Sequence, residues 1–305
     1  MARSLFIPIA LMLSWASLWA QDAPDPLMLV QQGRRLNAAG RQLDALALYD
    51  RALKINPDQF EAHLASGMAL DLLARYDEAR THLARAIQLA PEDGKRPALL
   101  AMAVSLGFQK RTVDAAKAYE QVFDRDVAAG RRTDAAEAAN ALGRLHLETG
   151  DYTGARRWYQ TGYEQARRQP AEPGSQLTLW KFRWLHAQAR IAAREGKPTE
   201  ATLSEIRSLV AASRELADEA PAVAYLEGYI ALYRNDPKAA LTALARADQN
   251  DPFILMLIAR AHERLNQRAA ARATWQRVLT LNGHSLQNAL ARPAAREALV
   301  AKNAQ

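Results

Sequence analysis

A short pattern recurs in this chain after 34 residues. Residues 48–58 read LYDRALKINPD, and residues 83–93 read LARAIQLAPED. The matched positions pair Tyr49 with Leu83, Ala52 with Ala86, Leu53 with Ile87, Ile55 with Leu89 and Pro57 with Pro91. A unit of this length cannot bury its own apolar face, so the pattern predicts similar units that stack on one another.

The same pattern can be followed along the chain through seven polar turns that each end on alanine. The turns are residues 39–45, 73–79, 109–115, 149–155, 195–201, 234–240 and 265–271. Twelve residues before each final alanine stands Gly or Ala, and four residues after it stands a large apolar residue in six of the seven cases. This spacing predicts two helices around a turn, because a small residue in the first helix lets the second approach closely. Pro57, Pro91 and Pro252 stand where three of the units should end.

This order of small, small, aromatic, small and proline residues resembles the tetratricopeptide repeat, a helix–turn–helix unit of about 34 residues. The resemblance covers roughly residues 26–284. It implies an all-α fold: a right-handed α-solenoid of about seven helix–turn–helix units. The fifth unit departs most, with Glu205 at the large apolar position, and the turns there lie 40 and 46 residues apart. We expect a lengthened helix or an inserted loop at 167–176 to account for the extra residues.

The two ends of the chain differ from the repeats. Residues 1–20 contain Arg3, an apolar run and a final Ala20, which is typical of a secretory signal peptide. We expect cleavage after Ala20, with cleavage after Ala16 as the alternative. The mature protein is then expected to be a periplasmic or secreted bacterial protein that is not stably inserted in a membrane. The solenoid should then span 21–284. Residues 285–305 should form a C-terminal capping helix and tail, with the helix begun or kinked at Pro293.

Motifs that carry chemistry are missing from the sequence. The chain has no cysteine, no Gly-rich phosphate loop, no HExxH and no EF-hand loop, and none of its six histidines forms an i, i+4 pair. The segment AVSLG at 103–107 lacks the first glycine of a nucleophile elbow, and Ser105 falls within a predicted helix. We therefore expect no catalytic residue, no cofactor and no metal, and we interpret the chain as a non-enzyme.

The resemblance also implies a concave groove lined by the first helix of each unit. Its N-terminal half would present the apolar residues Val30, Leu64, Met68, Leu100, Val104 and Phe108. Its C-terminal half would be basic and aromatic, and the candidate peptide-binding residues are Asn140, Arg144, Arg183, His186, Arg190, Tyr225, Tyr229 and Arg260. Arginine forks suit carboxylates. The groove is thus predicted to hold an acidic or carboxylate-bearing segment at one half and an apolar segment at the other. The alternative is that these arginines form salt bridges with neighbouring acidic residues.

Three functions remain open at this point. The first is a non-catalytic scaffold or adaptor in the bacterial cell envelope that binds a protein or peptide partner, with an acidic partner as one option. The second is a binding module for an anionic envelope polymer such as a polysaccharide, which the formal net charge of +7 would allow and which predicts steep salt dependence. The third is an enzyme on a helical-repeat scaffold, which no catalytic motif in the sequence supports. Nucleic acid is not an expected partner in an exported compartment.

Overall fold

A computed structural model of the chain describes residues 25–168 and 175–301. The predicted signal peptide lies outside these residues, as does most of the predicted insertion at 167–176. The described residues form α-helices and one 3₁₀ helix, and they include no strand. The α-helices are α1 (Pro26–Ala38), α2 (Gln42–Ile55), α3 (Phe60–Leu72), α4 (Tyr76–Leu89), α5 (Glu92–Phe108), α6 (Thr112–Ala128), α7 (Arg132–Thr149), α8 (Tyr152–Arg167), α9 (Ser175–Arg194), α10 (Glu200–Ala212), α11 (Ala220–Tyr233), α12 (Pro237–Leu244), α13 (Pro252–Arg264), α14 (Arg268–Thr280) and α15 (Leu286–Ala301).

The first fourteen of these helices form seven consecutive pairs. Each helix packs against its partner in the pair, and each pair packs against the next one along the chain. The predicted all-α solenoid of about seven units is therefore confirmed.

Each pair turns at one residue in the left-handed region of backbone conformation. These residues are Gly40, Ala74, Lys110, Gly150, Gly196, Asn235 and Asn266, and each is the second residue of a predicted turn segment. The N–H of the following residue donates to a carbonyl five residues earlier, as from Arg41 to Leu36 at 2.8 Å. This hydrogen bond satisfies a carbonyl at the end of the first helix and directs the chain into the second.

The small residues of the first helices lie against large residues of the second helices. A Cβ atom added to Gly67 would lie 2.5 Å from Cγ of Leu83, and one added to Gly143 would lie 2.7 Å from Cγ of Tyr159. Both distances are shorter than van der Waals contact, so these positions require glycine at the present helix separation. The pairing of small and large positions predicted from the repeat is present in the packing.

In the fifth unit the buried apolar position of the second helix lies one residue later than the repeat predicts, at 206 instead of 205. Glu205 is exposed and forms an ion pair with Lys181 at 3.0 Å, while its neighbour Ile206 is completely buried. The 3₁₀ helix Arg214–Glu219 then adds Leu216 to the same core. The extra residues of this unit therefore supply apolar contacts that its α10 helix lacks.

The C-terminal helix α15 does more than the predicted cap. It packs against α13 and α14 at the end of the solenoid, and it also packs against α5 of the third unit. Its approach to α5 depends on small residues, since a Cβ atom added to Gly107 would lie 3.1 Å from Cβ of Ala289. The helix begins at Leu286 and runs through Pro293, so the first of the two alternatives, a helix that begins at Pro293, is wrong.

The segment before α15 joins the end of the solenoid to its beginning. Nε2 of His284 lies 2.8 Å from Oδ2 of Asp71 in α3, and the other Asp71 oxygen accepts a 2.9 Å hydrogen bond from Ser105. Asn282 accepts a 3.0 Å hydrogen bond from Gln42 of the first unit. Within the two described ranges, no helix combines the length and the apolar character needed to cross a bilayer.

A candidate binding site on the inner face of the solenoid

The first helices of the units form a face that curves inward. Arg144 of α7 reaches Phe253 of α13, with its guanidinium carbon 4.0 Å from the ring centre. These helices belong to the fourth and seventh units, so residues far apart in the chain meet across this inner face. The C-terminal helix α15 lies on the same face, because it contacts both α5 and α13.

A cavity of about 480 Å³ opens on this face between α7, α9, α11 and α15. Helical spacing places its side chains together: Asn140 and Arg144 are four residues apart, and His186 and Arg190 are also four apart. Leu286, Gln287 and Leu290 of α15 complete the wall. We call this the arginine cavity, after Arg144, Arg183 and Arg190.

The arginine cavity brings together most of the predicted site residues. Those that line it are Asn140, Arg144, Arg183, His186, Arg190 and Tyr225. The two others do not line it: Tyr229 is completely buried in the core, and Arg260 lies elsewhere on α13. Tyr159 of α8 and the three α15 residues also line the cavity and were not predicted.

The cavity has an accessible rim and a buried base. Glu137 and Gln287 are exposed at the rim, where Asn140 and Arg183 are half-buried. At the base, Arg190, His186 and Tyr225 are each less than a tenth exposed. The sequence placed these residues on one face but did not separate the two depths.

The base holds several buried hydrogen-bond donors. Arg190 donates from Nη2 to the hydroxyl of Tyr159 at 3.1 Å. Among the described residues, however, Nε and Nη1 of Arg190, Nε of Arg144 and the hydroxyl of Tyr225 are buried without a hydrogen-bond partner. A buried polar group without a partner costs free energy, which makes each of them a point where a ligand could bind favourably.

The salt-bridge alternative holds for two of the arginines around the base. Nε of Arg144 lies 3.6 Å from one oxygen of Glu148, and Nη1 of Arg194 lies 3.3 Å from the other. Arg190 forms no such pair within the described ranges, and its guanidinium carbon lies 5.3 Å from the centre of the Tyr159 ring. Glu148 therefore serves two guanidinium groups and leaves the most buried one unpaired.

His186 contributes a neutral imidazole to the base. Its Nε2 donates to the carbonyl oxygen of Ala222 at 3.1 Å, and its ring stacks on Tyr225 with centres 5.3 Å apart. Burial, together with the nearby charge of Arg190, lowers the pKa of His186 to about 3. The positive charge of the base therefore comes from the arginines.

A second, largely apolar cavity of about 540 Å³ lies between α1, α3, α5 and the segment before α15. It contains four residues of the predicted apolar half-groove, Leu64, Met68, Leu100 and Val104, whereas Val30 and Phe108 are buried in the core. Asn282 and His284 form part of its wall. The C-terminal segment thus borders both cavities, one in each predicted half of the groove.

The side chains of Ser105, Asp71 and His284 are not arranged for nucleophilic catalysis. The Asp71 carboxylate lies between the other two, and it accepts a hydrogen bond from the Ser105 hydroxyl while its second oxygen contacts the imidazole. A nucleophilic serine needs a base at its own hydroxyl. Within the ranges described, three or more metal-ligating side chains nowhere cluster closely enough to hold an ion.

Stacked helix pairs with a cavity on the inner face define a helical-repeat interaction scaffold. Family models described as tetratricopeptide repeat match residues 30–94, 100–173 and 254–285. Together these matches cover more than half of the chain, which therefore belongs to the tetratricopeptide repeat family.

Solved structures agree on the fold. The apo form of RapI superposes with a TM-score of 0.59 at 10% sequence identity, over 90% of this chain and 99% of that one. A tetratricopeptide repeat protein from Parabacteroides merdae gives a TM-score of 0.53 at 10% identity, over 90% of this chain and 97% of that one. The comparison with curated proteins gave no match. At such low identity the similarity concerns the fold alone.

Proposed function

We propose that this protein is an exported, non-catalytic adaptor that binds a partner protein at the rim of the arginine cavity. Tetratricopeptide repeats support a role as a protein–protein interaction scaffold. The signal-peptide pattern of residues 1–20 supports the periplasm or the exterior as its compartment.

The observation that carries this proposal is the convergence of six predicted residues on one cavity. Surfaces that bind partners commonly combine arginine with aromatic residues around a concave centre. At the accessible rim, Asn140 and Arg183 offer hydrogen-bond donors suited to an acidic segment. Because α15 borders the cavity, the partner would contribute a short segment rather than a peptide that runs along the whole solenoid.

The test is a pull-down from envelope extract with the mature chain, residues 21–305, at low and moderate salt. Arg183→Glu reverses the charge at the rim, and Arg51→Glu makes the same change at an exposed position of α2 as a control. We expect one partner whose binding persists at moderate salt. The Arg51→Glu variant should still capture it, and the Arg183→Glu variant should not.

A partner retained equally by both variants would contradict the assignment of the rim. A heterogeneous mixture of acidic material that dissociates at moderate salt would instead support the polymer-binding alternative, because counterion release makes such contacts strongly salt-dependent.

A further inference from the structure

The base of the arginine cavity contains buried polar groups that a partner bound at the rim would not contact. Its buried groups without a hydrogen-bond partner are Nε and Nη1 of Arg190, Nε of Arg144 and the hydroxyl of Tyr225. Beside them, Oε1 of Glu148 is also buried without a hydrogen-bond partner, 3.6 Å from Nε of Arg144, so the Arg190 nitrogens are the donors without a nearby carboxylate. The arginine groups can only donate hydrogen bonds, and the tyrosine hydroxyl can donate one. This set would be satisfied by a ligand that supplies several acceptor atoms at one point.

The charges around the base leave one cation without a buried counter-ion. Arg144 and Arg194 pair with Glu148, and the charge of Arg144 also acts on Asp251, which already accepts hydrogen bonds from the N–H groups of Phe253 and Ile254. Arg190 is the third cation. Glu137 and Glu219 also border the cavity; Glu137 is exposed, where water screens its charge, and Glu219 is half-buried. A single negative charge at the base would therefore be balanced.

The stacking of the guanidinium groups does not replace this ligand. Arg144 lies over the ring of Phe253 and Arg190 near the ring of Tyr159. An aromatic ring shields the face of a guanidinium group, whereas its N–H bonds point outward in the plane of the group. The edges that remain open carry the unpartnered nitrogens.

Two helices also give the cavity apolar walls. Leu179 and Phe182 come from α9, and Leu286 and Leu290 come from α15. Ligand cavities of small molecules typically combine such walls with a few converging polar groups and measure about 300–1,000 Å³. We propose that the base of the arginine cavity binds a small organic carboxylate, with the charged group at Arg190 and Arg144 and an apolar body against α9 and α15. This site is separate from the partner surface at the rim.

The experiment uses the mature chain, residues 21–305, and isothermal titration calorimetry. The probes are benzoate and hexanoate, their neutral counterparts benzamide and hexanamide, and inorganic phosphate. We expect at least one of the two carboxylates to bind about tenfold or more tightly than its amide, since a hydrogen bond to a charged group is worth more than one to a neutral group. Phosphate should bind more weakly than the better carboxylate, because it leaves the apolar walls uncovered.

Three variants locate the site. Arg190→Met should weaken carboxylate binding about tenfold or more, and Tyr225→Phe, which removes only the hydroxyl, should weaken it severalfold. Arg292→Met is the control, because Arg292 is a buried arginine of α15 that does not line the cavity. Its binding should equal that of the unchanged protein, even if its stability differs.

The proposal would be overturned if neither carboxylate binds, if carboxylates and amides bind equally, or if phosphate binds more tightly. It would also be overturned if Arg190→Met and Tyr225→Phe both bind the carboxylate as tightly as the unchanged protein. The result is independent of the adaptor role. If the protein binds a carboxylate but captures no partner, the carboxylate site is supported and the adaptor role is not. If a partner is captured and lost with Arg183→Glu but no carboxylate binds, the adaptor role alone is supported.

Discussion

Seven residues hold the left-handed conformation at the turns within the repeats, and two of them, Ala74 and Lys110, are neither glycine nor asparagine. A side chain makes this conformation costly by about 1–2 kcal/mol. We predict that Ala74→Gly raises the free energy of unfolding by about 0.5–1 kcal/mol, and that Gly150→Ala lowers it by about 1 kcal/mol. Urea denaturation measures both.

The control for these turns is Gly283→Ala. Gly283 has no positive φ, and an added Cβ atom would lie 3.8 Å from its nearest neighbour, the amide nitrogen of Asn288. Its stability should change by less than about 0.5 kcal/mol. A loss at Gly283 as large as that at Gly150 would show that backbone conformation is not the cause.

The buried imidazole of His186 makes stability depend on pH. Its pKa is lowered from 6.5 to about 3 in the folded protein, so the unfolded chain binds the proton more readily. The stability from this group is fully present above pH 6.5 and is lost as the pH falls toward 3. Relative to His186→Gln, the unchanged protein should lose about 1 kcal/mol more between pH 7 and pH 5.5. Parallel stability curves for the two proteins would contradict this role.

At the level of single residues, the sequence predicted which side chains share a face but not how deep they lie. The register of the repeats placed Arg144, His186 and Arg190 together, because helical spacing is local. It also placed Tyr229 there, which the structure buries completely. Depth depends on the neighbouring units and on α15, which the spacing within a helix does not report.

Among the elements, α15 depends on a close approach to α5 through Ala289 and Gly107. We predict that Ala289→Trp lowers the free energy of unfolding by about 1–3 kcal/mol, because the larger side chain must separate the two helices. Val300→Trp is the matched control on the same helix, where the side chain is 71% exposed and a larger one meets little resistance. Equal stability of the two variants would mean that the contact between α5 and α15 contributes little.

The helices within the repeats were predictable because each depends on contacts with its neighbour in sequence. Two features of the fold could not be predicted from the repeat pattern, each for a physical reason. In the fifth unit the buried position moved from Glu205 to Ile206, which a fixed register cannot follow. The contact of α15 with α5 joins residues far apart in the chain, and a repeat pattern carries no information on such a contact.

At the scale of the whole molecule, His284 and Asp71 join the last unit to the second. We predict that Asp71→Asn speeds amide hydrogen exchange in 286–301 about tenfold or more, since the buried carboxyl group that contacts both Ser105 and His284 is lost. Asp44→Asn breaks the exposed ion pair with Arg41 and should leave that exchange unchanged. Faster exchange confined to α3 would show that the two ends are not coupled.

The central claim is that partners bind at the rim of the arginine cavity on the inner face. The most direct measurement is site-specific photo-crosslinking in envelope extract, with the photoreactive residue at position 183 or at position 43. Arg183 lies at the rim, and Leu43 is a 67% exposed residue of α2 that lies outside the cavity. The proposed function predicts a discrete crosslinked partner from position 183 and none from position 43. Crosslinking from position 43 alone would contradict it.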